Sequence, residues 1–222
     1  MPSELEASWQ RLLDGVRAFR REVFPAQRDI YESIASQGQR PHTLLVTCAD
    51  SRVDPELLTM SGPGEIFVTR NIGNIVPGYG EMLGGVSAVI EFAVTALGVS
   101  HIVVCGHTDC GAIKALLDRN SVAAMPTVRQ WLHNAEAALS VVQAREADAP
   151  PDVFIAKLVE ANVLLQLDHL RTHPSVAGRL ARGTLAVHGW VYNIATGAVL
   201  MHHPTLGRFE AINGEISTRP EL

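Results

Sequence analysis

The sequence is poor in the features that nucleic-acid-binding proteins need. Aromatic residues make up 5% of the 222 residues, and the formal net charge is -5. A basic surface and stacking aromatic rings are the usual means of holding nucleic acid. The chain also has no cluster of lysine and arginine. These absences argue against a nucleic-acid partner.

Cysteine is scarce as well, and its number is odd. There are three cysteines, and two of them, Cys48 and Cys110, stand in motifs together with histidine and aspartate. This pattern favours a reducing compartment and metal or thiol chemistry over a disulfide framework. A disulfide between Cys48 and Cys110 is disfavoured for the same reason.

The sequence shows neither a signal peptide nor a long apolar run. The first six residues, Met1 to Glu6, are acidic and lack the apolar stretch of a signal peptide. No uncharged run reaches about 18 residues, the length that a transmembrane helix needs. We therefore expect a cytoplasmic protein without a membrane span.

Length and composition predict a single domain over residues 1–222. Of these residues, 47% are hydrophobic, which is enough for one sizeable core. Residues 1–36 are predicted to form an N-terminal helical arm, with a capping box at Ser3 and Glu6 before an apolar helical stripe. The simpler interpretation is that this helix packs on its own domain, and the alternative is that it crosses onto a partner subunit.

Short apolar runs alternate with helical patterns along the rest of the chain, which predicts an α/β fold. Strands are predicted over residues 43–48, 65–70, 101–105, 184–192 and 198–202. Helices are predicted over residues 85–97, 126–147 and 152–173. The turn at Thr196-Gly197 predicts a hairpin of the last two strands. We expect a mostly parallel central sheet of four to five strands with an antiparallel edge strand, flanked by helices; residues 207–222 have no assigned structure.

Two of the predicted strands end in side chains that bind metals. The first ends in Cys48, and the third is followed by His107 and Cys110. Open α/β sheets place their ligands at the carboxyl ends of their strands. If the two strands are neighbours, the three side chains converge at one edge of the sheet.

Two thiolates and one imidazole suit Zn²⁺, and a three-ligand set leaves the fourth position for water. The residues alone leave alternatives open: Cys48 could be a small core side chain, or a nucleophile served by a histidine base. Cys105 lies inside an apolar strand and is interpreted as a core residue.

Asp50 and Arg52, directly after Cys48, are close enough in sequence to form a charge-assisted pair. A carboxylate beside a metal can accept the hydrogen bond of a metal-bound hydroxide, or it can bind the metal itself and block it. Arg52 would hold Asp50 away from the metal and keep it ionised. The structural alternative is an ion pair that shapes the loop.

These motifs resemble those of the β-class carbonic anhydrases over about residues 39–200. The segments that carry the resemblance are Cys48-Ala49-Asp50-Ser51-Arg52, His107-Thr108-Asp109-Cys110-Gly111, Gly64-Glu65-Ile66-Phe67-Val68-Thr69-Arg70-Asn71, Ile90-Glu91-Phe92-Ala93, Glu160-Ala161-Asn162-Val163 with Gln166, and Val187-His188-Gly189-Trp190-Val191-Tyr192.

The resemblance implies that Cys48, His107 and Cys110 bind one zinc ion per chain. It also implies that Asp50 and Arg52 form a dyad that gates and orients the zinc-bound water. The expected reaction is the reversible hydration of CO₂ to bicarbonate and a proton, by attack of zinc hydroxide on CO₂.

For the substrate pocket, the resemblance implies Gln39 as a donor to the bound substrate and Phe67 and Ile72 as apolar walls. Phe92 stands where plant-type members have a pocket tyrosine. Leu45 stands where members with an inhibitory bicarbonate site have a tryptophan, which argues against that site here. The family forms homodimers or dimers of dimers with pockets at the dimer interface, so Gln39 and Phe92 can serve the neighbouring subunit's site.

Two other functions fit the same residues. One is the hydrolysis of carbonyl sulfide or carbon disulfide on the same fold. The other is a structural zinc site in an interaction module, with Asp50 as a permanent fourth ligand. A zinc deaminase is disfavoured because the chain lacks H-x-E followed by P-C-x-x-C.

Overall fold

The computed structural model describes residues 3–81 and 84–212. The chain divides into two compact units, Met1–Arg40 and Pro41–Leu222. The N-terminal unit is thus four residues longer than the predicted arm. Residues 1–2, 82–83 and 213–222 of the predicted single domain lie outside the described residues. None of the described helices combines the length and the apolar character that crossing a membrane requires.

The N-terminal unit is helical. It consists of α1 (Glu4–Ala18), a π-helical turn (Phe19–Val23), the short α2 (Phe24–Ala26) and α3 (Arg28–Gln37). The predicted capping box is present: Ser3 Oγ accepts from the Glu6 backbone N–H at 3.2 Å, and Glu6 Oε2 accepts from the Ser3 backbone N–H at 2.7 Å. None of these helical residues is buried.

The second unit is built on a six-stranded sheet, which confirms the predicted α/β fold. Its strands in chain order are β1 (Thr43–Cys48), β2 (Ile66–Asn71), β3 (His101–His107), β4 (Ala186–Tyr192), β5 (Val199–His203) and β6 (Arg208–Ala211). The spatial order is β2-β1-β3-β4-β5-β6, with the first four strands parallel and the last two pairings antiparallel.

The predicted number of four to five strands was too low. The additional strand, β6, is four residues long and lies in the stretch that had no assigned structure. Its sequence Arg208-Phe209-Glu210-Ala211 contains one large apolar side chain, too few for a recognisable strand pattern. The predicted hairpin of the preceding two strands is confirmed, since β4 and β5 pair antiparallel.

The helices of this unit are α4 (Pro55–Thr59), α5 (Gly85–Glu91) with a π-helical extension (Phe92–Ala96), α6 (Gly111–Leu117), α7 (Pro126–Trp131), α8 (Glu136–Arg145), α9 (Pro151–Thr172) and α10 (Pro174–Ala181). The helix predicted over residues 126–147 was wrong as one continuous element. A 3₁₀ segment, Leu132–Ala135, separates α7 from α8. There the Asn134 side chain donates to the Trp131 carbonyl at 2.9 Å and so competes with the helical backbone hydrogen bonds.

The central strands are buried on both faces, which explains their continuous apolar runs. On one face, alternate residues of β1 and β3 such as Leu44 and Ile102 belong to the main core, together with residues of α9. On the other face, Leu45, Val103 and Cys105 form a smaller buried cluster.

Helix α9 packs tightly against the sheet at two glycines. A Cβ at Gly106 would lie 2.8 Å from Val163 Cγ2, and a Cβ at Gly189 would lie 2.8 Å from Val163 Cγ1. Because real Cβ contacts are not this short, Val163 fills the space that the two glycines leave open. The two glycines therefore set the depth at which α9 packs on β3 and β4.

We expect Gly189→Ala to lower the free energy of unfolding by about 1–3 kcal/mol, because the added methyl overfills the contact with Val163. The matched control is Gly178→Ala in α10, where a Cβ meets nothing within 4 Å and the change should be neutral or stabilising. Urea unfolding of both variants at one protein concentration measures the difference. An unaltered midpoint for Gly189→Ala would contradict this packing.

Candidate metal centre

The three cysteine and histidine side chains predicted as ligands lie together at one edge of the sheet. Strands β1 and β3 are parallel neighbours, Cys48 ends β1, His107 ends β3, and Cys110 is the N-cap of α6. One donor atom from each lies within 4.8 Å of the others. All three residues are buried, with 5%, 0% and 1% of their surface exposed. The topology therefore produces the convergence that the two motifs predicted.

The sulfur atoms of Cys48 and Cys110 are 3.9 Å apart, and all three cysteines are free. This separation is far longer than a disulfide bond. It matches the roughly 3.8 Å between two sulfurs that each lie about 2.3 Å from a tetrahedral zinc ion. The spacing of the sulfurs therefore fits a shared metal.

His107 presents one ring nitrogen to the two sulfurs. Its Nδ1 lies 2.8 Å from the Thr108 carbonyl oxygen, so Nδ1–H donates there and the lone pair is left on Nε2. Within residues 3–81 and 84–212, Nε2 is buried and has no hydrogen-bond partner. A buried polar atom of this kind requires a partner, and a metal ion between the three side chains would supply it.

The two thiols cannot both ionise easily without a cation. Hydrogen bonding with Cys110 lowers the pKa of Cys48. The same contact, together with burial, raises the pKa of the Cys110 thiol, because a second negative charge beside the first is unfavourable in a buried site. A divalent cation removes this conflict, since it binds thiolates. The donor set therefore fits a metal better than it fits a metal-free pair of thiols.

The third cysteine lies elsewhere. Cys105 is in the smaller cluster on the opposite face of the sheet, and burial raises its pKa to about 12. It is a neutral core side chain, as its place inside an apolar strand indicated.

Asp50 and Arg52 form the predicted pair beside the cluster. Arg52 donates through Nε to Asp50 Oδ1 at 2.9 Å and through Nη2 to Oδ2 at 2.8 Å, and its backbone N–H donates to Oδ1 at 3.0 Å. Hydrogen bonding from the Arg52 side chain and backbone holds the pKa of Asp50 well below its usual range. Asp50 Oδ2 lies 3.9 Å from His107 Nε2, so an ionised carboxylate stands next to the donor atoms.

Asp109 and Lys114, for which no role was predicted, extend this pair. Arg52 also donates to Asp109 through Nη1 at 2.7 Å to Oδ2 and through Nη2 at 3.2 Å to the backbone carbonyl. The ammonium group of Lys114 contacts Asp109 Oδ1. The available signal was a carboxylate placed between two candidate ligands in sequence, with a lysine five residues later.

Arg70, near the end of β2, stabilises the backbone between Cys48 and Asp50. It donates through Nε to the Cys48 carbonyl at 3.1 Å and through Nη2 to the Asp50 carbonyl at 2.6 Å. These bonds fix the backbone that carries one sulfur and the carboxylate. Arg70 lies in one of the segments that resemble the family, but no role was predicted for it.

A buried amide network connects α9 to the loop after β2. Asn162 Nδ2 donates to the Gly73 carbonyl at 3.1 Å, and Gln166 Nε2 donates to Asn162 Oδ1 at 2.9 Å. Gln166 Oε1 accepts from the Val76 backbone N–H at 2.9 Å. The Gly73 N–H also helps to lower the pKa of Cys48 by donating to its sulfur. The network therefore holds a loop that contacts one of the candidate ligands.

The residues predicted to form the substrate pocket are more widely spaced than the candidate metal ligands. Phe67 and Phe92 pack together with ring centroids 6.0 Å apart. Phe67, however, lies four residues before Asn71, the residue of β2 that pairs with Cys48, which is roughly 13 Å along the strand. Ile72 directly follows β2 and is 43% exposed. Gln39 belongs to the N-terminal unit, and Leu45 is buried in the smaller cluster. The substrate roles of these residues stay predictions.

Comparison with known proteins identifies the family. The family model for carbonic anhydrase matches residues 43–199. The carbonic anhydrase of Pseudomonas aeruginosa is 50% identical over 188 residues, which cover 85% of this chain and 84% of that protein. The carbonic anhydrase of Synechococcus elongatus is 44% identical over 192 residues, 86% of this chain and 70% of that protein.

Solved structures agree with this result. The β-carbonic anhydrase CcaA has a TM-score of 0.89 at 43% identity, covering 92% of this chain and 99% of its own. A structure of tetrameric β-carbonic anhydrases from Sordaria macrospora has a TM-score of 0.78 at 26% identity, covering 94% of this chain and 98% of that chain. The chain therefore belongs to the β class of the carbonic anhydrase family, as the motifs predicted, and it is a carbonate dehydratase.

We expect Gln166→Leu to lower the free energy of unfolding by roughly 2–4 kcal/mol, because the Val76 N–H and Asn162 Oδ1 lose a buried partner. Metal affinity should fall as well, since the loop that donates to Cys48 is then held less firmly. Urea unfolding and competition with a chromophoric chelator measure the two effects.

The matched control is Gln143→Leu on the exposed side of α8, which should stay within about 0.5 kcal/mol of the parent protein. Equal stability of the two glutamine variants would show that the amide network does not support the loop.

Proposed function

We propose that this carbonic anhydrase catalyses the zinc-dependent, reversible hydration of CO₂ to bicarbonate and a proton. The observation that carries the proposal is the buried group of Cys48, His107 and Cys110 beside an Asp50 carboxylate that Arg52 holds in an ion pair. Membership of the family supports the reaction, and the donor set supports the metal.

Zinc is the ion that two thiolates and one imidazole fit best, with one ion per chain and one position left open. When bound, zinc acts as a Lewis acid that lowers the pKa of water and so makes a nucleophile available. Cys48, His107 and Cys110 would hold the ion, and Nδ1–H of His107 is already tied to the Thr108 carbonyl oxygen. That contact keeps the imidazole in the tautomer with Nε2 free for the metal.

Asp50 is proposed to orient the attacking water. Its Oδ1 accepts from two N–H groups of Arg52, whereas Oδ2 accepts from one within the described chain. Oδ2 is also the oxygen nearer to His107, so its remaining lone pair can accept a hydrogen bond from water at the donor cluster. A water that donates to Asp50 directs an oxygen lone pair elsewhere, toward CO₂.

Arg52 is proposed to keep Asp50 from binding the metal. The guanidinium of Arg52 donates to both oxygens of the Asp50 carboxylate. Rotation of Asp50 toward the ion would therefore break two charge-assisted hydrogen bonds. This arrangement opposes the alternative of a structural zinc site that Asp50 closes permanently.

The substrate slot is proposed to be apolar, because CO₂ is small and carries no charge. Phe67, Ile72 and Phe92 would line it, and Gln39 would donate to the bound substrate, with residues of a neighbouring subunit taking part. Leu45 argues against an inhibitory bicarbonate site.

We propose a homodimer or a dimer of dimers that works in the cytoplasm without a nucleic-acid partner. The tetrameric relatives support the assembly. The apolar stripe of α1 supports it too: Leu5, Trp9, Leu12 and Val16 are each more than half exposed. A partner subunit would provide a surface for that stripe to pack on.

We expect kcat/KM for CO₂ hydration to rise with pH above neutrality and to scale with zinc content. Two thiolates nearly cancel the charge of the ion, so water is acidified only weakly, and the deprotonated nucleophile gains roughly tenfold per pH unit below its pKa. Asp50 stays ionised across this range because its pKa is lowered. Stopped-flow hydration on metal-quantified protein tests this, and a flat profile from pH 6.5 to 9 would contradict it.

The same assay needs two comparisons. Turnover of carbonyl sulfide and carbon disulfide that exceeds that of CO₂ would favour the hydrolase alternative. Cys48→Ser should lose zinc and activity, whereas Cys105→Ser, the same exchange in the opposite cluster, should keep both. Full zinc content and rate in Cys48→Ser would refute the ligand assignment.

A further inference from the structure

The turn between His107 and Cys110 carries a carboxylate that faces the guanidinium of Arg52. Asp109 Oδ2 accepts from Arg52 Nη1 at 2.7 Å, and the Asp109 carbonyl accepts from Nη2 at 3.2 Å. Arg52 thus makes two side-chain hydrogen bonds to Asp50 and two to Asp109. Four of the five N–H groups of its guanidinium are therefore engaged.

These contacts connect the two chain segments that hold the candidate ligands. Asp50 and Arg52 follow Cys48 at the end of β1, and Asp109 directly precedes Cys110. Arg52 and Asp109 are 57 residues apart in sequence. The guanidinium therefore fixes the position of Asp50 relative to the turn that supplies the other ligands.

The backbone at Asp109 is unusual in a way that suits this contact. Its φ is +60°, a left-handed conformation that aspartate and asparagine tolerate better than most residues. Glycine would adopt it with less strain but has no carboxylate. The turn itself therefore does not require the Asp109 carboxylate. What the carboxylate adds is the contact with Arg52.

Lys114 completes an alternating row of charges. Its ammonium contacts Asp109 Oδ1, while Arg52 takes Oδ2 of the same carboxylate. The side chains of Arg52, Asp109 and Lys114 are 44%, 53% and 50% exposed, whereas that of Asp50 is 17% exposed. A half-exposed arginine with one anchor keeps much of its freedom of movement, and a second anchor restricts it.

We propose that Asp109, supported by Lys114, is a positioning residue for the Asp50–Arg52 pair. It holds Arg52 in the orientation in which the fork keeps Asp50 turned away from the metal. This inference rests on the proposed hydration reaction and deepens it, because it names the residues that set how readily Asp50 closes the site. Without the Asp109 charge, Arg52 would move more freely, and Asp50 would compete better with water for a bound ion.

The test is the pH profile of Asp109→Asn, which keeps the size of the side chain and its tolerance of a positive φ. We expect kcat/KM to fall about tenfold at pH 7 and less than about twofold at pH 9, because hydroxide outcompetes the carboxylate as pH rises. The midpoint of the profile thus moves up by about one pH unit. An equal loss at every pH, or an unchanged profile, would overturn the proposal.

Two further variants separate positioning from general stability. Lys114→Met keeps the aliphatic stem and should shift the midpoint in the same direction by a smaller amount. The double variant should match Asp109→Asn alone if Lys114 acts through Asp109. Asp168→Asn, which breaks the exposed ion pair with Arg171, should leave the midpoint unchanged.

A spectroscopic measurement tests the inference without CO₂. In the cobalt(II)-substituted protein, the visible spectrum changes when the oxygen ligand of the metal changes. The midpoint of that change should move up in Asp109→Asn, and an unchanged midpoint would overturn the proposal. If the parent protein does not hydrate CO₂, the proposed function fails while this readout still decides the role of Asp109. If Asp109→Asn does not fold, the midpoint of Lys114→Met decides in the same way.

Discussion

The site depends on two buried sulfur atoms 3.9 Å apart. Their contact lowers the pKa of the Cys48 thiol and raises that of the Cys110 thiol, because two negative charges would repel each other where water is excluded. The adjacent imidazole presents an unpartnered nitrogen within the described chain. A divalent cation would resolve both problems at once, and the contacts of Arg52 and Arg70 hold the segment that carries one of the three donors and the neighbouring carboxylate.

The fold supplies that arrangement by making β1 and β3 neighbours. Cys48 and His107 then reach the same edge, and Cys110 follows after a turn with a positive φ. The depth of α9 on the sheet is set by contacts of Val163 with two glycines, and polar side chains of the same helix hold the loop that donates to Cys48. A small shift of α9 would therefore also displace the loop next to Cys48.

Local patterns were sufficient to predict most of the strands and the candidate ligands, since apolar runs and donor types are visible in a few consecutive residues. The structure also contains what a local pattern does not show. Arg70 reaches the Cys48 carbonyl across 22 positions, and Arg52 reaches Asp109 across 57. Such contacts depend on which strands become neighbours. The strand β6 was missed for a different reason, because four residues with one large apolar side chain carry too weak a pattern.

The most direct test of the account is X-ray absorption at the zinc edge on protein purified without chelators. We expect one zinc per chain with two sulfur neighbours at about 2.3 Å and lighter neighbours, one nitrogen and one oxygen, at about 2.0–2.1 Å. Protein without metal, or zinc bound without sulfur, would contradict the central claim that the two sulfurs and the imidazole form one metal centre.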